Sequence, residues 1–264
     1  MTEYGSGGRI GIGTPQANPT VEPEMAILMP RSCTILATRL TSPAATSTER
    51  LVDYLEQLPA TLATYDTLRP DIFGFACTGS SYLVGRAREA ALVSAASDSW
   101  GRPIVTACRA IEWALARLGA TRVALVAPYS GDLLAAGVAW WRAAGLDVVA
   151  VERVETGEAD TRGIYALGGG AARAAIDRVG STDVDAVLVS GTGMPSLAAI
   201  AGRRASSVPI LSSNLALAGR LIDLATPGAL PDDAVAPPGW QARLAEALSP
   251  PRPDGAARAV RSAP

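Results

Sequence analysis

The chain has 264 residues, 48% of them hydrophobic, and a formal net charge of −2. That length suits one large α/β domain or two smaller lobes with a sizeable core, and the charge lacks the basic face that nucleic acid requires. No histidine and no lysine occurs in the sequence, which excludes a histidine-based triad, a lysine Schiff base and a zinc site built on histidine.

In chain order, Arg9 to Thr14 reads as a short strand that breaks into a turn, Pro15 to Thr20. A helix is expected to start at Val21, with Glu22 and Glu24 in its first turn. Cys33 to Leu40 is strand-like. Thr46 to Tyr65 has helical spacing, with Leu51, Tyr54, Leu55, Leu58 and Leu62 on one face. Asp71 to Ala76 is a buried strand, Ser80 to Ser97 a helix, Ile104 to Thr106 a strand and Cys108 to Leu118 a helix that Gly119 ends. The pattern then restarts with a strand at Arg122–Ala127, a helix at Asp132–Ala144 and a strand at Asp147–Val151. The polar segment Glu155 to Tyr165 reads as a loop before a helix ending near Val179. Asp185 to Ser190 is a strand, Met194 to Arg203 a helix, Pro209 to Ser212 a strand and Asn214 to Leu224 a helix. Beyond Thr226 the composition predicts a mobile tail, with a short helix from Gln241 to Leu248.

This alternation predicts α/β architecture with mainly parallel sheets flanked by helices. Three pieces recur in the same order. Arg9–Pro15 matches Arg122–Pro128 at an offset of 113, Phe75–Gly79 matches Val189–Gly193 at 114, and Pro103–Thr106 matches Pro209–Ser212 at 106. The repeat predicts two pseudo-symmetric lobes, residues 1–105 plus 210–264 and residues 106–209, with strand-end loops converging on a cleft between them.

Cys33, Cys77 and Cys108 are far apart and show no CxxC spacing, so free thiols and no metal site are expected. Cys77 stands apart from the other two. The run Ile72-Phe73-Gly74-Phe75-Ala76 ends at it, and Thr78-Gly79-Ser80-Ser81 follows. A thiol between a strand end and a helix N-terminus is expected to have a lowered pKa, although a free cysteine is also a common core residue. No stretch approaches the ~18 apolar residues of a membrane span. Met1 to Gly8 lacks the pattern of a signal peptide, so a cytoplasmic location is expected.

Several segments together resemble the aspartate/glutamate racemase superfamily, in its branch of maleate cis-trans isomerases and arylmalonate decarboxylases. They are Gly13 to Glu24, Ala127-Pro128-Tyr129, Ser190 to Leu197 and Leu211-Ser212-Ser213-Asn214. The resemblance covers roughly residues 9 to 225. It implies a small carboxylate or dicarboxylate substrate held between lobes, no metal or organic cofactor, no membrane partner, and a homo-oligomer. It also implies two catalytic positions at matching strand ends, Cys77 and Gly191. Isomerases and racemases of the family carry cysteine at both, and arylmalonate decarboxylases only at the second. With Gly191 opposite Cys77, the expected activity is a cysteine-dependent, maleate-isomerase-like addition of thiolate to a double bond through an enediolate. The alternatives are decarboxylation with Cys77 as proton donor, or a carboxylate binder that has lost turnover.

Tyr129 is the further catalytic candidate. The substrate-binding candidates are Pro15, Asn18, Thr78, Gly79, Ser80, Thr192, Gly193, Met194 and Ser212. Several have simpler explanations: an Asx turn for Asn18, packing for Tyr129, a positive-φ turn for Gly193, and helix caps for Ser80 and Ser212. Asp160-Thr161 corresponds loosely to a substrate-contacting loop.

Overall fold

The computed structural model describes residues 4–158, 160–180, 182–203 and 208–249. Two four-stranded parallel sheets form its frame. The first contains β1 (Arg9–Pro15), β2 (Thr34–Leu40), β3 (Ile72–Phe75) and β4 (Ile104–Thr106) in the order β2-β1-β3-β4. The second contains β5 (Arg122–Ala127), β6 (Asp147–Arg153), β7 (Ala186–Val189) and β8 (Ile210–Ser212) in the order β6-β5-β7-β8. The identical orders realise the repeat. β3 and β7 are short, wholly apolar apart from one glycine, and buried along their length, as strands covered on both faces must be. Their carboxyl ends deliver Cys77 and Gly191.

Helices α1 (Val21–Leu28), α2 (Ser47–Glu56), α3 (Leu58–Ala63), α4 (Thr78–Val84), α5 (Arg86–Trp100) and α6 (Ala107–Arg117) belong to the first half of the chain. The second half carries α7 (Gly131–Ala143), a 3₁₀ turn (Thr161–Ala166), α8 (Gly169–Val179), α9 (Leu197–Ala201), α10 (Ser213–Ala225) and α11 (Trp240–Leu248). The strand Ile210–Ser212 pairs with β7, so a division at residue 210 would cut the second sheet. The helix that follows it, α10, packs on α6 and β3.

Two expected single helices are each split. Thr46 caps α2 through a capping box with Glu49, but the helix stops at Glu56 and α3 restarts with Pro59 in its first turn. Gly85, at φ 83°, separates α4 from α5, because that backbone conformation suits glycine and cannot continue a right-handed helix. The helix expected over Met194–Arg203 shrinks to Leu197–Ala201.

The tail expected to be mobile is packed as far as residue 249. Leu230, Trp240 and Leu244 are buried. Arg117 donates to the carbonyls of Pro231 and Ala234 at 2.6 and 3.1 Å. Arg243 donates to those of Ile27 and Leu28 at 2.6 and 2.7 Å. Residues 250–264 of that expected tail lie outside the described residues. Among the described residues no helix is long and apolar enough to cross a membrane.

Candidate active site

The carboxyl ends of β1, β3, β5 and β7 meet at a seam between the two sheets, and hydrogen bonds cross it. Thr78 Oγ1 and the Tyr129 hydroxyl share one of 2.7 Å. Tyr82 and Ser190 share another of 2.7 Å. Thr192 Oγ1 donates to the Ala76 carbonyl at 2.9 Å, and Thr20 Oγ1 to that of Gly193 at 2.8 Å. Asn18 Nδ2 reaches Thr192 Oγ1 at 3.4 Å.

Cys77 occupies the N-cap of α4 and is 4% exposed. Ser80 Oγ donates to its sulfur at 3.2 Å, and the backbone N–H groups of Ser80 and Gly79 also point at it. Burial nevertheless pushes the thiol pKa up, more than these three donors lower it. The expected lowering is therefore overturned: donors at the helix start act as foreseen, but desolvation is larger. The thiol shares an apolar cluster with Leu51 and Tyr54, and Leu51 and Leu133 roof the first turn of α4 over Gly79. A cavity of about 170 Å³, bounded among others by Tyr129, Leu133 and Asp160, lies on one side of Leu51. A smaller one, about 20 Å³, lies on the other, against Arg50, Tyr54 and Tyr165. Cys77 lines neither.

Gly191 has φ 115°, and its N–H donates to Ser213 Oγ at 3.0 Å. A Cβ there would stand 3.0 Å from two Pro128 carbons and 3.4 Å from the Tyr129 hydroxyl. This corner is shaped around the absence of a side chain. The positive φ expected at Gly193 is found here instead. Gly193 is required for space, since a Cβ would lie 2.8 Å from the Tyr165 ring.

Asn18 makes the Asx turn: its Oδ1 accepts from the N–H groups of Thr20 and Val21 at 2.9 and 3.3 Å. Its amide nitrogen remains directed at the seam, so the turn and a donor role coexist. Tyr129 is buried, and burial raises its hydroxyl pKa well above the usual phenol range. Pro15 ends β1 and accepts from Asn18 N at 2.9 Å. Met194 is buried with its N–H on the Gly191 carbonyl at 3.2 Å. Ser212 caps α10 by accepting from Leu215 N at 3.3 Å. Cys108 is buried near the Thr78 carbonyl, and Cys33 bonds the Gly7 carbonyl at 3.2 Å, at the opposite end of β1.

Two features escape sequence reasoning. Glu24 is buried and accepts from Ser196 N, Leu197 N and Asn214 Nδ2 at 2.7, 3.2 and 2.8 Å, tying α1 to the starts of α9 and α10. Burial pushes its carboxyl up against those donors. The signal was a glutamate on the apolar face of α1, beside Met25 and Leu28. The second feature is an ion pair of 2.7 Å across the seam between Arg50 and Asp160, which no local pattern announces.

Two similar parallel sheets with facing strand ends and one thiol at the seam define the class of fold. The sequence profile of the arylmalonate decarboxylase family matches residues 10–234, and the chain belongs to that family. No curated protein sequence matches the chain. Among solved structures, it is similar to the maleate isomerase of Pseudomonas putida S16 (25% identity, TM-score 0.74, covering 85% of this chain and 96% of that one). A Nocardia farcinica maleate cis-trans isomerase with one cysteine changed to serine holds a covalent succinylcysteine intermediate (25%, TM-score 0.73, 86% and 96%). An arylmalonate decarboxylase variant, in its liganded form, has cysteine in place of one glycine and serine in place of a cysteine 114 residues further on (25%, TM-score 0.74, 88% and 97%). The family and these structures are enzymes, isomerases or decarboxylases.

Proposed function

We propose that this chain is a decarboxylase of malonate-type acids that bear an apolar substituent, with Cys77 as the proton donor. The observation that carries this reading is a buried thiol at one strand end, its pKa pushed up by desolvation, with glycine at the matching strand end, where φ is 115° and a side chain would press on Pro128. Cys77 and Gly191 are 114 residues apart, the separation of the two exchanged positions in the similar decarboxylase variant. In this reading the retained carboxylate is held by the hydroxyls of Thr78 and Tyr129, with Thr192 and Asn18 close by. The bond to the second carboxylate breaks toward the apolar wall of Leu51 and Leu133, and its electron pair becomes an enediolate stabilised by those donors. The S–H bond of Cys77 then gives its proton to carbon, and water restores the thiol.

Maleate-type isomerisation is the second reading. It is favoured by the amide of Asn18, held at the seam by a long 3.4 Å bond to Thr192 Oγ1, as a second carboxylate donor, and by the N. farcinica variant, which holds its adduct on cysteine although another cysteine has become serine. Incubation with phenylmalonate and with maleate in D₂O, followed by NMR, separates the two. The proposal expects CO₂ loss with one deuterium per product, and a fall in rate of roughly 10²-fold or more in Cys77→Ser. Conversion of maleate to fumarate with no CO₂ release would replace it by the second reading. Near wild-type rates in Cys77→Ser would remove both.

A further inference from the structure

The two members of the Arg50–Asp160 pair are not equivalent. Arg50 lies on α2 and is 7% exposed; its guanidinium also donates to the carbonyls of Ala45 and Ala44 at 2.7 and 3.5 Å. Asp160 starts the 3₁₀ turn and has a second cation. Arg162, largely in solvent, reaches it with Nε and Nη2, each at 3.1 Å, and with its N–H at 2.9 Å. If the pair opens, Asp160 keeps Arg162. Arg50 keeps only two carbonyls, and a buried cation without an anion is costly. Its charge would then face the small cavity beside Tyr54 and Tyr165, and Tyr54 packs in the cluster that holds Cys77. The absence of lysine and histidine leaves arginine alone to supply positive charge to the site.

We propose that Arg50 draws the substrate's carboxylate to the thiol site while parted from Asp160, and that Asp160, re-pairing with it, then cancels the charge that attracted the substrate. The cancellation matters as much as the attraction. A bare cation beside the carboxylate to be expelled would stabilise the bound dianion more than the transition state, in which that charge is being dispersed, and would slow CO₂ loss. Arg50 and Asp160 are thus positioning residues. The proposal rests on Cys77 being the reacting group.

The test uses alkylation of Cys77, followed by peptide mass, with neutral iodoacetamide and anionic iodoacetate. The ratio of the two rates reports charge at the mouth and cancels any change in the thiol itself. Asp160→Asn keeps a residue able to cap the turn and is expected to raise the iodoacetate-to-iodoacetamide ratio about tenfold, the low end of electrostatic steering. Arg50→Met is expected to lower it. A ratio within twofold of wild type in Asp160→Asn overturns the proposal, whether or not Arg50→Met folds. With phenylmalonate, Asp160→Asn is further expected to lower KM and kcat together. The alkylation result stands even if decarboxylation is not the reaction.

Discussion

Cys77 holds its proton because burial outweighs three donors aimed at its sulfur. A proton donor must be protonated, so its contribution is present below its own pKa and lost as pH rises through it. Since that pKa lies above the ordinary thiol value, kcat/KM for decarboxylation should stay flat through neutral pH and fall only in the alkaline range. A thiolate nucleophile would instead give a rate that climbs with pH over that same range. A pH–rate profile from neutral to alkaline distinguishes the two. The position of Cys77 was legible in sequence because an apolar run stops at it and a hydroxyl-rich turn follows. Its protonation state was not, since depth of burial at a strand end depends on what roofs it, here Leu51 and Leu133 from distant helices. Gly191 and Gly193 show the same limit. Gly193 reads as a turn glycine, and only packing against Pro128 and Tyr165 separates the need for positive φ at Gly191 from the need for space at Gly193.

Among the elements, β3 and β7 were the most legible, because a strand buried on both faces has nowhere to place a polar residue. Helix interruptions were less so. Pro59 is a single residue inside a good periodic pattern whose apolar face continues across the break, and Gly85 is one glycine in an otherwise helix-forming run. The segment after Thr226 misled by composition. Its proline, alanine and aspartate content hides Leu230, Trp240 and Leu244, which are too widely spaced to form a period yet anchor the chain against the body. A Cβ on Gly219 of α10 would lie 2.1 Å from the Val235 carbonyl oxygen. Gly219→Ala should therefore push this strap off α10 and cost about 1–3 kcal/mol, the usual range for overpacking. Urea denaturation should show it as a lower midpoint, and a wild-type midpoint would mean that the strap contributes little.

At the scale of the molecule, two sheets of the same strand order face each other. The duplication was legible in three matched segments, while β8 pairs in the second sheet and α10, directly after it, packs on the first. Duplication followed by divergence has a stereochemical consequence. Matching strand ends approach a planar enediolate from its two prochiral faces, and here one end offers sulfur and the other a bare glycine. A product formed in D₂O should carry its label in one configuration only, of opposite hand to that from a relative whose sole thiol stands on the second strand. Chiral chromatography of the 2-phenylpropionate formed from methylphenylmalonate, which is chiral without any label, reads the same choice of face, and a racemate would mean that water, not Cys77, delivers the proton.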